Sequence, residues 1–309
     1  MPLFSVIIPA YNRADLIRAT LDSVLAQDLD DYEAVVADDG SKDDTVAVVS
    51  DYVSKHPGKV KLQVQENRGE GAARNLAIRH ATGDYLAYLD SDDTFFPWTL
   101  STFARAIREN NRPASIGGMC YPFHDESELA LAKQEEYRAE YYPDMFAYLR
   151  ACADTLTTSG SIMRRDVVEK TGLFQEQHIN GVDLDLWLRI GVEPGFVRLR
   201  APVLAGRRAH PSNVSGNKDM MIRGANNLIA REKAGVYPGG KSRQRERLEF
   251  LTFNVRWMMM QALLAGRQRA GWEIYRACFP WHVRLGRMRC LFGFPALSLK
   301  QLIKPRGGR

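Results

Sequence analysis

Acidic side chains stand at three places in this chain where they could share one job. Asp38-Asp39 leads into Gly40-Ser41, Asp90-Ser91-Asp92-Asp93 forms a second group, and Asp183 lies much further on. Carboxylates brought together repel strongly unless a cation or a hydrogen-bonded ligand sits among them. Asp90 and Asp92, at i and i+2, can face one hard divalent ion. Mg²⁺ or Mn²⁺ binds through few carboxylates and keeps positions open for diphosphate oxygens. A plain turn and helix cap before Thr94-Phe95-Phe96 accounts for the same residues, and that alternative stays open. Glu66-Asn67-Arg68-Gly69-Glu70-Gly71, followed by Ala72-Ala73-Arg74-Asn75, is a glycine-rich entry to a helix. Its backbone N–H groups and Arg74 suit an anionic or nucleotide ligand. It is not GxGxxG, which disfavours a dinucleotide cofactor.

The elements that must position these residues are legible in the first hundred positions. Residues 4–8 are a continuous β-prone run stopped by Pro9, as in a buried parallel strand. Residues 14–26 carry Leu16, Ile17, Leu21, Val24 and Leu25 at helical spacing. A strand at 33–37 runs into Asp38, a helix follows over about 43–54, and 59–65 alternates like a strand. Residues 70–81 read as an alanine-rich helix, and 84–89 as a strand leading straight into Asp90. Strand–helix repetition of this kind predicts an α/β sheet flanked by helices. Ligands of such sheets bind beyond the carboxyl ends of the strands. Pro9–Asn12, Asp38–Ser41 and Asp90–Asp93 therefore should open onto one crevice. Further on, the pattern predicts a helix near 97–109, a strand over 114–123 and a polar helical segment over 126–151.

Length and composition allow one large domain or two ordinary ones. Cys120, Cys152, Cys278 and Cys290 are widely spaced, with no CxxC, and read as thiols of a reducing compartment. The amino-terminal MPLFSVIIPAYN reads as a strand rather than a signal peptide, and no run is long and apolar enough to span a bilayer. The charge is lopsided. Residues 241–309 hold 15 Lys+Arg against 3 acidic residues, whereas the rest of the chain is net acidic. A helix over about 243–265 is expected there, and Trp257, Trp272, Trp281 and Phe279 are interleaved with arginines. Two readings stand side by side: an anionic membrane surface as partner, or a helical cap with solvated arginines. Nucleic acid is disfavoured because no recognised module accompanies the charge.

Six stretches in order resemble glycosyltransferase family 2, of GT-A fold. They are Ser5-Val-Ile-Ile-Pro-Ala-Tyr-Asn12, Asp38-Asp-Gly-Ser-Lys-Asp-Asp-Thr45, Asn67-Arg-Gly69, Ala73-Arg-Asn75, Ala81-Thr-Gly-Asp-Tyr85 and Leu89-Asp-Ser-Asp-Asp93. The resemblance implies a GT-A type, mostly parallel mixed sheet flanked by helices, here with a helical basic C-terminal extension. It implies that Asp39 pairs with the nucleotide base, with Tyr11 packing on it and Pro9 lining the pocket. Asp90 and Asp92 would form the metal-binding DxD motif, with Ser91 beside the nucleotide, Arg74 on base or phosphate, and Asp38 in support. Looser similarity continues through Thr158-Ser-Gly-Ser-Ile-Met-Arg-Arg-Asp166, Lys170-Thr-Gly-Leu-Phe174 and Gly181-Val-Asp-Leu-Asp-Leu-Trp-Leu-Arg189. By that match Asp183 is the catalytic base. Val182 stands where the family usually carries Glu, which weakens any carry-over of acceptor type. Read from its residues alone, Asp183 opens a helix with Leu184, Trp187, Leu188 and Gly191 on its apolar side, and the helix dipole explains a carboxylate there equally well. His210 matches a histidine that can ligate the metal, and Arg207 and Arg208 would clamp the diphosphate.

Together these give an inverting, metal-dependent transferase that uses Mn²⁺ or Mg²⁺ and moves a sugar from a nucleotide-sugar, UDP-sugar favoured, to a hydroxyl of a saccharide or lipid-linked acceptor. Residues 1–236 would be the catalytic domain, its nucleotide-binding half about 1–110 and its acceptor half about 111–236. Residues 237–309 would be the basic helical region, joined at Tyr237-Pro-Gly-Gly240. A cytoplasmic setting is expected, on the inner face of the membrane if the tail binds lipid. The competing reading is a non-catalytic nucleotide- or nucleic-acid-binding protein on the same scaffold, which would be free to lack Asp90, Asp92 and Asp183. A nucleotidyltransferase would show a glycine-rich basic loop after the first strand, where this chain has Pro9-Ala-Tyr-Asn12.

Overall fold

The structure, a computed structural model, describes residues 1–152, 156–209 and 217–303. The strands are β1 (Phe4–Ala10), β2 (Tyr32–Asp38), β3 (Val60–Val64), β4 (Tyr85–Tyr88), β5 (Thr94–Phe95), β6 (Ser115–Phe123), β7 (Arg138–Tyr142), β8 (Ser161–Arg164) and β9 (Phe196–Arg208). They form one sheet in the order β3-β2-β1-β4-β8-β6-β9-β5, with β7 also paired to β9. β3, β2, β1 and β4 are successive parallel neighbours, and β1 is a buried parallel strand as its unbroken apolar run predicts. Beyond β4 the sheet turns mixed: β8 is antiparallel to β4 and β6, and β9 is parallel to β6 but antiparallel to β5 and β7.

The helices of this part are α1 (Ile17–Leu25), α2 (Thr45–Lys55), α3 (Glu70–His80), α4 (Thr99–Glu109), α5 (Met145–Ala151) and α6 (Arg165–Thr171). Alternate residues of β1 serve opposite faces. Phe4, Val6 and Ile8 join the core made with Ile17, Leu21, Val48, Leu100 and Phe103, while α3 packs on β1 and β2 from the other side. Small side chains let it approach closely: Ala72, Ala73 and Ala77 are all buried.

The polar helical segment expected over 126–151 does not form as one helix. Asp125 starts a 3-10 turn over Glu126–Leu131 with a capping box to Glu128, then β7 and α5 follow. The cap satisfies the first N–H groups of a short turn, and pairing with β9 wins Arg138–Tyr142 for the sheet. The other boundaries are close to those read from sequence, with β6 at Ser115–Phe123 and α4 at Thr99–Glu109.

Residues 1–148, 152–178 and 190–213 form one compact unit, which holds the whole sheet. Residues 149–151, 179–189 and 214–309 form the second. The second unit's helices are α7 (Val182–Ile190, its last residue assigned to the first unit), α8 (Lys218–Lys233), α9 (Gln244–Leu264), α10 (Gln268–Arg284) and α11 (Met288–Ile303). A buried ion pair, Arg247 with Glu232 at 2.8 Å, joins α9 to α8. No described helix is long and apolar enough to cross a membrane.

Candidate active site

The parallel strands end side by side. Ala10 is in register with Asp38, Asp38 with Val64, and Ile7 with Tyr88. The loops after β1, β2, β3 and β4 thus share one edge of the sheet, where an α/β fold places its ligands.

Asp38, the last residue of β2, is fully buried and builds the following turn. Its carboxylate accepts hydrogen bonds from the N–H groups of Gly40 (3.0 Å) and Ser41 (2.9 Å) and from the Ser41 hydroxyl (2.5 Å). Asp39 looks the other way. Its carboxylate accepts from Gln65 Nε2 (2.7 Å), Arg68 N (2.9 Å) and Gly69 N (2.8 Å). The glycine-rich loop is therefore shaped around Asp39. Gly69 needs its positive φ of 96° there. Gly71 needs its missing side chain: a Cβ would lie 2.0 Å from the Gln175 carbonyl oxygen. At the end of the neighbouring strand Pro9 is buried within β1, and Tyr11 is 43% exposed, which leaves much of its ring accessible to a planar group.

Asp90, Asp92 and Asp93 converge, each offering a carboxylate oxygen within 4.8 Å of the others. Among the described residues they are the only such group of three metal-ligating side chains. Asp93 was not picked out from the sequence, where it reads as part of a turn. Burial first, then the Asp90 charge, pushes the Asp93 carboxyl up to about 8. Three hard oxygen donors so close suit a cation such as Mg²⁺ or Mn²⁺, whose charge would offset their repulsion. Ser91, between them, is buried.

Basic groups frame the cluster. Arg74, 2% exposed, bonds Asp90 at 2.7 Å, pairs with Glu70, and lies over the Phe174 ring. Arg13 approaches Asp92 at 3.5 Å, a contact that nothing in the spacing foretold. Arg208, expected as a diphosphate clamp, holds the loop itself. Its backbone N–H donates to Asp93 (2.9 Å), its Nε to the Asp92 carbonyl (3.1 Å) and its Nη2 to Glu126 (2.8 Å). Arg207 is exposed. His210 lies outside the described residues.

In the second unit, Asp183 sits in the first turn of α7, as expected. Leu184, Trp187 and Leu188 are buried. Nothing in the residue spacing pointed to Asp185's role. It is fully buried, with Arg231 at 2.6 Å, Arg189 and the Tyr237 hydroxyl both at 2.9 Å. Burial, then the Asp185 charge, holds the Tyr237 phenol far above its ordinary range. Asp185, two residues on from Asp183 in the same helix, is a structural group.

Residues 5–172 match the family described as Glycosyl transferase family 2. The chain belongs to glycosyl transferase family 2. An uncharacterized glycosyltransferase of Rickettsia felis is 30% identical over 192 residues, covering 60% of this family 2 chain and 30% of the relative. The match thus spans under a third of that relative's length. The putative teichuronic acid biosynthesis glycosyltransferase TuaG of Bacillus subtilis is 30% identical over 219 residues, covering 70% of this chain and 83% of TuaG. Solved structures share the fold. S. aureus TarS 1–349 in complex with UDP-GlcNAc superposes with a TM-score of 0.67 at 19% identity, over 91% of this chain and 80% of that one. The mannosyltransferase PcManGT of Pyrobaculum calidifontis, in complex with GDP-Man and Mn²⁺, gives 0.56 at 20% identity, over 96% and 87%. The expected GT-A architecture, a mostly parallel mixed sheet with flanking helices, is the one observed.

Proposed function

We propose that this family 2 chain is an inverting, divalent-metal-dependent glycosyltransferase that moves a sugar from a nucleotide-sugar to a hydroxyl acceptor. The observation that carries the reading is the meeting of Asp90, Asp92 and Asp93 at the sheet edge where Asp39 also stands. UDP is the favoured nucleotide, in line with the UDP-GlcNAc complex of TarS; the GDP-Man complex of PcManGT names the rival donor. The TuaG likeness supports a saccharide or lipid-linked acceptor in cell-surface polysaccharide or glycolipid synthesis. We assign transfer to residues 1–236 and attachment to 237–309, and place the chain in the cytoplasm, against the inner face of the membrane.

Roles follow from chemistry. Asp39 accepts hydrogen bonds from the base, Tyr11 covers the ring, and Pro9 keeps the pocket wall rigid. Arg74 sets the orientation of Asp90 and neutralises part of its charge, with Ser91 beside the nucleotide. Asp90 and Asp92, with His210 as a further ligand, would hold Mn²⁺ or Mg²⁺, which supplies positive charge against the departing nucleoside diphosphate. Asp183 takes the proton as the acceptor oxygen bonds to the anomeric carbon. The bond from that carbon to the diphosphate oxygen breaks on the opposite face, so configuration inverts. One base is enough, because the leaving group departs without a proton.

A donor screen with Mn²⁺ or Mg²⁺, following nucleoside diphosphate release with and without EDTA, tests this. Turnover is expected to need the ion and to fall by about 100-fold or more in Asp92→Ala. In Asp183→Asn it is expected to fall by roughly 100- to 10,000-fold. Undiminished turnover in Asp183→Asn would remove Asp183 as the base, and retained anomeric configuration in the product would remove inversion.

A further inference from the structure

The α10–α11 hairpin has an apolar outside as well as an apolar inside. Its inner face is locked: the Tyr275 and Phe294 rings stack at 5.0 Å, the Tyr275 hydroxyl donates to the Leu291 carbonyl (2.7 Å), and Trp272 Nε1 donates to Ser298 Oγ (3.0 Å). Cys290, Phe294 and Ser298, four residues apart, are the buried stripe of α11. The opposite stripe of α11 would be polar in an ordinary surface helix. Here it is Met288, Phe292, Ala296 and Leu299, with Phe292 67% exposed. At about 100° per residue, Met288, Leu299 and Phe292 fall within roughly 40° of one another, and Arg289 and Lys300 border them. Phe279 and Val283, near the end of α10, are exposed as well.

Along the hairpin after Glu273 every charged side chain is basic. Glu273 is the last acidic residue of α10, and it is bound to Arg269 at 3.0 Å. Residues 274–301 contain Arg276, Arg284, Arg287, Arg289 and Lys300, and no Asp or Glu.

We infer that the outer face of α10–α11 docks on an anionic phospholipid surface, with Met288, Phe292 and Leu299 entering the acyl boundary and Arg289 and Lys300 on the headgroups. This deepens the membrane placement proposed above, assigning it to a particular face and lipid chemistry. A helix lying in the interface needs such an apolar stripe bordered by Lys and Arg, and anionic lipids attract that border. A second copy of the chain fits worse, since two such faces would bring like charges together. Nucleic acid also fits worse, because phosphate contacts leave an apolar stripe in water.

Flotation of the full chain with phosphatidylcholine vesicles, with and without a quarter phosphatidylglycerol, tests the assignment. Binding is expected only with phosphatidylglycerol, and it should weaken on raising salt from about 0.1 M to about 0.5 M. Phe292→Glu with Met288→Glu is expected to weaken it by about 10-fold or more, and Arg289→Gln with Lys300→Gln to remove the preference for the anionic lipid. Unchanged thermal unfolding by circular dichroism shows that these surface variants still fold; if the Glu pair unfolds, Phe292→Ser with Met288→Ser replaces it. Equal binding to both vesicles, no binding to either, or binding untouched by the variants would overturn the inference. So would lipid-free dimerisation abolished by Phe292→Glu, or retention by duplex DNA in place of vesicles. Nucleoside diphosphate release in lipid-free solution should be unchanged in these variants. A chain that floats but releases no nucleoside diphosphate would sink the transfer reading and leave this surface standing.

Discussion

Glu33, within β2, has almost no contact with solvent, and its carboxylate is surrounded by donors. The Ser5 hydroxyl (2.6 Å), Thr82 N (2.6 Å), the Thr82 hydroxyl (2.8 Å) and Lys61 Nζ (2.5 Å) all reach it. Burial alone would raise its pKa, but Lys61, Ser5 and Thr82 outweigh it and hold the group below the ordinary carboxylate value. A lowered folded pKa means that the stabilisation is present above pH about 4.5 and is lost as pH falls through the folded value. Glu33→Gln is therefore expected to cost about 3 kcal/mol near pH 7. Urea denaturation should show the gap between the two proteins narrowing below pH about 4.5. The same scale shows what the sequence could and could not tell. Asp38, Asp39, Asp90 and Asp92 are legible because strand patterns put them at strand ends. Asp93, Asp185 and Arg13 are not, because their weight comes from burial and partners distant in sequence. A spacing rule cannot see that Asp185 is buried with Arg231, Arg189 and Tyr237.

Among the elements, the entry to α3 is where packing meets the candidate pocket. Gly71 abuts the Gln175 carbonyl, and the next residue, Glu176, holds Arg68 at 2.5 Å and Asn75 at 3.1 Å. Gly71→Ala would force the helix and residues 174–176 apart, and with them the Arg68 and Gly69 N–H groups that bind Asp39. The expected outcome is a loss of about 1–3 kcal/mol in stability, with weaker nucleotide binding by calorimetry. Serine or valine there should be worse than alanine. Strands β1, β2 and β4 were readable because buried parallel strands leave long apolar runs. β9 was not. Its thirteen residues include Arg198, Arg200, Pro202, Arg207 and Arg208, which break both periodicities. Arg198 is nonetheless buried, donating to the Gly118 carbonyl at 2.5 Å. β7 was misread as helix for a related reason: its partner β9 is distant in sequence.

At the scale of the whole molecule the two units differ in how they meet acid. His282, buried in α10 within the helical unit, has no hydrogen-bond partner for Nδ1 among the described residues. Burial first, then Arg287 and Arg256, lowers its pKa to about 4. The unfolded chain takes up that proton near pH 6.5, the folded one only near 4, so stability should fall as pH drops through that window. Trp187, Trp257, Trp272 and Trp281 all report on this unit, whereas Trp98 belongs to the other. Tryptophan fluorescence in urea should show the midpoint falling between pH 6.5 and 4 in the wild type. His282→Leu should flatten that fall.

The pairing of β4 with β8 has a consequence for how the chain is made. Tyr85–Tyr88 emerges from the ribosome long before its partner Ser161–Arg164. At 5–20 residues per second the edge of β4 waits roughly 4–15 s for its neighbour. Through that interval a nascent β3-β2-β1-β4 sheet presents open amides and carbonyls to any other extended strand. Synthesis of this protein should therefore lean on chaperones that shield sheet edges, and fragments cut between residues 110 and 160 should precipitate.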